Sequence, residues 1–300
     1  MLNDFTAPTI ARFAGLHLPT ATIPAWLDQQ IAHCSDPAFA ALFSDHLDLP
    51  GIHPTDYLHR IVATRTGHLL GGIRFYGHDI TKPFVDLLAW TGPIDLPAWR
   101  TAIANVWAAF DPPQFRILSA GEPAFAAFPI DQTIHAGRAG IMAEQPLRPT
   151  VTLQPCHAPE AAAAQAARWH QDFAATNPTL AAELHIADAA ELTECHTNGS
   201  LDYIMIDGTQ AGLLATAPGT IDWLHGHIVI EEILASSHHG HGHAAYAQRR
   251  LAVSLAATDP QTLLLGTIHH TNIASYRTAT TAGRPAIMDY RFIPLPACSS

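Results

Sequence analysis

Apolar and polar positions fall into the same succession twice along the 300 residues. In the second half, 201–206 alternates as a strand, Asp207-Gly208 makes a hairpin turn, and 211–216 returns as its partner. A longer apolar strand follows at 227–235, then a loop punctuated by Gly240 and Gly242. Residues 243–257 carry Tyr246, Leu251 and Leu255 among alanines at helical spacing, which predicts a helix packed closely on a sheet. A strand at 263–268 would lie parallel to the one before the helix by the right-handed crossover rule. The first half repeats the order: strands at 58–65 and 69–76 about a Thr66-Gly67-His68 turn, a strand at 84–90, a helix at 96–110 and a strand at 115–119.

Between the halves, 139–150 holds Gly140, Pro146 and Pro149 and sets an expected boundary, giving domains 1–145 and 146–300. The fold class is α/β (α+β): two tandem units, each a mixed sheet flanked by helices. Trp90, Trp99 and Trp107 read as core. The alanine-rich run 160–169 reads as a helix packed on the sheet, with Trp169 and Phe173 as core or pocket wall.

Composition narrows the chemistry. Only 14% of residues are Asp, Glu, Lys or Arg, against about 25% in ordinary domains. Histidine supplies much of the polarity, with 20 His beside 15 Lys plus Arg, and 26 acids set the net charge at −11. That balance argues against a phosphate-gripping nucleic-acid binder. No apolar run approaches the roughly 20 residues of a bilayer span. The opening Met-Leu-Asn-Asp-Phe places an acid where a secretory signal carries positive charge, so the expectation is a cytoplasmic protein with no membrane partner. Cys34, Cys156, Cys195 and Cys298 are scattered and read as free thiols. Asn198-Gly199-Ser200 reads as a turn rather than a glycosylation site.

The stretch from Ile228 to Ala244 is the most informative: strand, glycine-bearing loop, helix N-terminus. Glycines let backbone approach a ligand, and the free N–H groups and dipole of the first helical turn stabilise an anion. The P-loop Gly-Lys-Ser/Thr and the full dinucleotide fingerprint are both missing. Downstream, Asn272 can cap a helix running to Ala282, Gly283 supplies its left-handed stop, and an apolar closing strand follows at 286–293.

On these residues the chain resembles the GNAT superfamily of acyl-CoA N-acyltransferases over about 150–295. The family's pyrophosphate loop, Arg/Gln-x-x-Gly-x-Gly/Ala, is similar to His239-Gly240-His241-Gly242-His243-Ala244, with histidine in the first place. The later pattern of Asn, short helix and Gly looks like Asn272 through Gly283-Arg284. The resemblance implies acetyl-CoA or another acyl-CoA as co-substrate, lying in an opening between two splayed parallel strands. Its pantetheine arm would pair near Ile233, Leu234 and Ala235, and its pyrophosphate would rest on the amides of His239, Gly240, His241, Gly242, His243 and Ala244. It implies transfer of an acyl group to a small-molecule or peptide amine, by a monomer or homodimer. Two departures stand out. Ala279 occupies the place of the family's acid tyrosine, leaving Tyr276 and Ser275 one turn upstream, and Arg284 stands where Phe is common.

The attacking amine needs a base. Glu231 and Glu232 sit mid-strand and alternation sends them to opposite faces; one of them half-buried would have its pKa pushed up. His225 and His227 are the next candidates. Two other readings stay open: a non-catalytic acyl-CoA-binding module, favoured by the missing tyrosine, and a histidine-rich metal binder using His238, His239, His241 and His243. The second lacks a Cys or carboxylate within the run, so no metal is expected. Ser275 has no nucleophile-elbow glycines around it. In the first half, the equivalent loop Thr91-Gly-Pro-Ile-Asp-Leu-Pro97 has two prolines and an acid, and is expected to be a degenerate cofactor loop.

Overall fold

A computed structural model of the protein describes residues 2–13, 19 and 21–296; Cys298 lies outside them. The chain divides into two compact units, 1–131 with 288–300, and 132–287.

The first unit begins with helices α1 (Leu2–Phe13), α2 (Thr22–Ala32) and α3 (Pro37–Ser44). Strands β1 (Arg60–Ala63), β2 (His68–Phe75) and β3 (Pro83–Trp90) then form an antiparallel meander. Helix α4 (Leu96–Val106) crosses over to β4 (Gln114–Ser119), which runs parallel to β3. Trp99, Trp107, Phe115 and Phe125 are fully buried beneath it and make the centre of this core. At the chain's midpoint, β5 (Ile130–Arg138) and α5 (Ala139–Ala143) lead into the second unit.

There, β6 (Val151–Pro155) is followed by α6 (Pro159–Thr176), α7 (Pro178–Ala181) and α8 (Ala189–Thr197). A second meander comprises β7 (Leu201–Ile206), β8 (Thr209–Ile221) and β9 (Leu224–Leu234). Helix α9 (His243–Thr258) crosses over to β10 (Leu263–His269), parallel to β9. Helix α10 (Ile273–Ala282) and β11 (Ala286–Pro294) end the chain. Asp207 and Gly208 both have positive φ, as the tight hairpin turn requires. One apolar cluster packs α9 on Ile204, Leu214 and Leu264, and another packs α6 and α8 on Leu201, Leu213 and Ile233. The second sheet is therefore covered on both faces.

Both units thus repeat one order: a three-stranded meander, a crossover helix and a parallel strand. The expected strands and crossover helices are present within a few residues. The edges differ from expectation. In the second unit β10 pairs antiparallel with β5, from His269↔Gln132 to Leu263↔Arg138. In the first, β4 pairs antiparallel with β11, from Asp289↔Ser119 to Pro294↔Gln114. Each unit takes into its part of the sheet a strand that chain order assigns to the other half. The closing strand read at 286–293 therefore serves the first unit, and the split at 145/146 differs from the compact units at both ends. Strand β5 escaped sequence reading because its buried parity carries Asp131, Thr133, His135 and Gly137 while Ile130 and Ala136 lie on the less buried one, against the usual apolar-inward pattern.

Ile293 is fully buried in the first unit's core. Ile293→Ala should therefore cost about 2–5 kcal/mol and speed amide exchange in β4, measured by hydrogen exchange. Faster exchange in β10 with β4 unchanged would contradict the strand assignment.

Candidate functional site

Strands β9 and β10 pair over only three positions, Gly226↔Leu263, His227↔Leu264 and Ile228↔Leu265. Beyond these they part, while Val229 and residues 231–234 of β9 keep β8 as their ladder neighbour, with a register shift at Ile230. Along an extended strand, alternate residues turn their main-chain groups to opposite sides. The Ala235 N–H goes to Ala211 on the β8 side at 2.8 Å, and Ile233, two residues earlier, is paired in the same register. The Leu234 carbonyl turns the other way and takes a hydrogen bond from the His239 ring at 2.9 Å. Of the three positions expected to meet a pantetheine arm, Leu234 is thus the one whose backbone faces the gap, and Ala235 has no N–H left for a ligand.

The loop that leaves β9 ends on Gly240 and Gly242, both with φ near +75° (78° and 73°), and a Cβ at either would meet no atom within 4 Å. Gly242 begins α9 and no side chain caps that helix. The N–H groups of His243 and Ala244 therefore belong to an uncapped first turn beside open space, a layout suited to an anion. The matching helix of the first unit is closed instead. The Asp95 carboxylate caps α4 through the Ala98 N–H at 3.2 Å, and Arg65 covers that carboxylate at 2.5 Å. An anion there would meet a negative charge.

Sequence reading missed Arg148. Its guanidinium donates to the His241 carbonyl at 3.2 Å, approaches the His243 ring at 3.4 Å and lies over Tyr246. It places a fixed positive charge against the loop, where the family pattern has an Arg or Gln and this chain has His239. Partial burial and the Arg148 charge both hold His243 toward its neutral form. The signal in the sequence was faint: one arginine in an irregular proline-bounded segment about 90 residues upstream. Among the described residues no three His, Cys, Asp or Glu side chains converge as a metal site would need. The loop histidines approach one another only as rings, His238 and His241 each about 6 Å from His243 (6.0 and 5.6 Å between centroids).

Past the parting point, Glu231 and Glu232 point to opposite faces, as alternation requires. Glu231 faces α6 and accepts from His170 at 3.0 Å and from the Ala187 N–H at 3.2 Å. A groove of about 380 Å³ beside Ala187 is lined by Ala163, Ala167 and Ile186 and flanked by Glu160 and Asp188. Glu232 faces α9, where Gln248 donates to its Oε2 at 2.7 Å. Its Oε1 is buried with no partner. Burial pushes this carboxyl up to about 7, against the opposing pull of Arg284 and Gln248.

The remaining candidates fall around these two carboxylates. Asn272 caps α10 through the Ser275 N–H at 3.1 Å, and Gly283 ends the helix with φ at +103°. Tyr276 is exposed and presses edge-on against His135, ring centroids 4.8 Å apart, while Ala279 is buried. His227 lies in the paired part of β9, its Nδ1 buried without a partner and its pKa lowered by desolvation.

No family model matches the chain, and no curated protein sequence does. Among solved structures it is similar to an acetyltransferase of the GNAT family from Colwellia psychrerythraea, at 13% identity over 91% of this chain and 97% of that one, with a TM-score of 0.50. It is also similar to a GCN5-related N-acetyltransferase from Kribbella flavida, at 16% identity over 79% of this chain and 90% of that one, TM-score 0.47. A tandem GNAT protein from the clavulanic acid biosynthesis pathway matches at 12% over 88% of this chain and 94% of that one, TM-score 0.43. The likeness to the first of these is one of fold: the chain has the GNAT acetyltransferase fold.

The raised Glu232 pKa has a consequence for stability. With a folded-state pKa of about 7 above an ordinary 4.5, the native state holds a proton that the unfolded chain has released. The contribution is full below about pH 4.5 and lost as pH rises through about 7. Glu232→Gln mimics the protonated acid, so variant and parent should be equally stable near pH 4. By pH 8 the variant should be more stable by up to about 3 kcal/mol, measured by urea unfolding at the two pH values.

Proposed function

We propose that this GNAT-fold chain is an acyl-CoA-dependent N-acyltransferase whose active half is the second unit. The observation that carries the reading is the parting of β9 from β10 next to an uncapped helix start. Extended backbone, open space and an anion-favouring turn lie in the order a pantetheine pyrophosphate needs. The Leu234 carbonyl would exchange its His239 partner for the pantetheine arm. The His243 and Ala244 amides and the Arg148 guanidinium would hold the pyrophosphate, with Gly240 and Gly242 admitting it closely.

The acceptor amine attacks the thioester carbonyl carbon. Its nitrogen forms the amide bond, the C–S electron pair goes to sulfur, and one proton must leave the nitrogen while one reaches the thiolate. Glu232 is the base in this reading, because its Oε1 is unpartnered and its proton affinity lies near neutrality. Glu231, held by His170 and Ala187, shapes the acceptor side. Tyr276, with Ser275 beside it, is left to supply the thiolate proton in place of the residue replaced by Ala279. Small-molecule or peptide amine, acetyl or longer acyl, and monomer or homodimer stand as proposals of the same reading. A non-catalytic acyl-CoA-binding module remains the second reading, favoured by the alanine at 279.

Calorimetry with acetyl-CoA and desulfo-CoA, with and without chelator, tests the binding. Micromolar-to-millimolar association unaffected by chelator is expected; none at millimolar ligand would sink both readings. Arg148→Leu should weaken CoA about tenfold or more and leave pantetheine, which has no phosphate, unchanged. Thiol release across a broad amine panel then separates transferase from binding module. In that assay Glu232→Gln should lose about 10²–10⁴-fold in turnover, and Glu231→Gln should act mainly on the KM for the amine. Equal turnover losses in both would remove the assignment of the base.

A further inference from the structure

Behind Glu232 lies a buried polar chain that the acyl-transfer reading does not use. Arg284 Nε donates to Gln248 Oε1 at 2.9 Å, and Gln248 Nε2 donates to Glu232 Oε2 at 2.7 Å. Gln248 is 1% exposed and Arg284 3%, so the guanidinium and its relay are sealed from water. Burying an arginine is costly unless something is gained from its charge. The fold makes room for it. A Cβ at Gly266 would lie 3.0 Å from Arg284 Nη1, and one at Gly137 would lie 3.1 Å from its Cγ. Gly266 is the first β10 residue past the parting point, so this guanidinium sits at the root of the gap.

The chain has a direction. Arginine can only donate, so Gln248 must turn its oxygen to Arg284 and its NH₂ to Glu232. A carboxylate oxygen that already accepts from an amide is a poor place for a proton. Oε2 is thereby held as an acceptor, leaving Oε1. We propose that Arg284 and Gln248 are positioning residues that make Glu232 a one-sided proton acceptor, with Oε1 as the atom that receives the proton from the attacking amine. In that step the amine N–H bond breaks, an O–H bond forms at Oε1, and the electron pair stays on nitrogen. The Arg284 charge also sets how readily that proton is taken and released. It offsets the desolvation that would otherwise leave Glu232 protonated and inert as a base.

Few other charges bear on Glu232. Glu231, on the opposite face, raises its proton affinity. Arg249 on α9 is spent on the carbonyls of Pro146 and Thr281. Strand β8 faces Glu232 with Leu214, β10 contributes Gly266 beneath Arg284, and His135 of β5 meets the Arg284 carbonyl at 2.9 Å. His227, on β9 itself, is held toward its neutral form by burial.

The catalytic role rests on the acyl-transfer reading, but the relay can be tested without substrate. In protein carrying carbon-13 glutamate carboxyls, with Glu232 assigned through Glu232→Gln, the Glu232 signal is followed against pH. Arg284→Met should move its midpoint upward by about 1–3 pH units, the effect of losing a neighbouring opposite charge. Arg284→Lys should fall between, and Gln248→Leu should also move it upward. An unmoved midpoint in Arg284→Met would overturn the proposal. If that variant does not fold, an unmoved midpoint in Gln248→Leu does so. Where acyl transfer is observed, the acid limb of kcat/KM should move with the carbon-13 midpoint, whereas a uniform rate loss without a shift marks a structural role and overturns the catalytic part. Absence of acyl transfer with a shifting midpoint removes the function reading and leaves the relay standing.

Discussion

Two parallel strands that stay hydrogen-bonded would leave no room for a ligand between them. In the second unit the ladder between β9 and β10 stops at Ile228 and Leu265, and everything of chemical interest follows from that stop. Main-chain groups such as the Leu234 carbonyl turn to the open side, where the His239 ring meets it in place of a strand. The crossover helix that follows β9 starts without a side-chain cap, so its first N–H groups are left free of the protein's own side chains. The two glutamates on the unpaired stretch are carried to opposite faces, one to α6 and one to α9. The first unit shows the same three-pair ladder between β3 and β4, with a different outcome. There an aspartate fills the helix start and an arginine covers the aspartate, so one architecture supports an open site in one unit and a closed one in the other.

Much of this was legible in the chain. The Asp207-Gly208 turn, the alanine-spaced helix and the Gly-x-Gly loop report local physics that tertiary context does not override. The Asn272 cap and Gly283 stop are equally local. What escaped was non-local. Arg148 reaches the loop from a segment whose conformation is set by prolines and by hydrogen bonds from Arg250 to the carbonyls of Val151 and Arg148, which no periodicity encodes. Arg284 stood out in sequence only as a departure from a pattern; its partner lay on a helix 36 residues earlier. Strand β5 was silent because its neighbours in space, not its own residues, make it a strand.

The excess of histidine gains an explanation that is partly about packing. His59 is buried with Nδ1 on the Gln30 carbonyl and Nε2 taking a bond from Arg74, and its pKa falls to about 3. His33 stacks on Phe39. His135 is fully buried on the Arg284 carbonyl, and His170 is held by Glu231. In a chain poor in charge, imidazole serves as a small aromatic with two ring nitrogens for hydrogen bonding. These rings join separate elements of the fold.

The strand exchange reaches into how the polypeptide is made. Strand β4 is complete early in synthesis, but its partner β11 follows it by roughly 170 residues, about 10–30 s of translation. Throughout that interval the nascent first unit carries an apolar edge with unsatisfied amides, the kind of surface that recruits other strands. The chain cannot finish its first fold until it has nearly finished its last. The β4 ladder can therefore be completed only after β11 has been made.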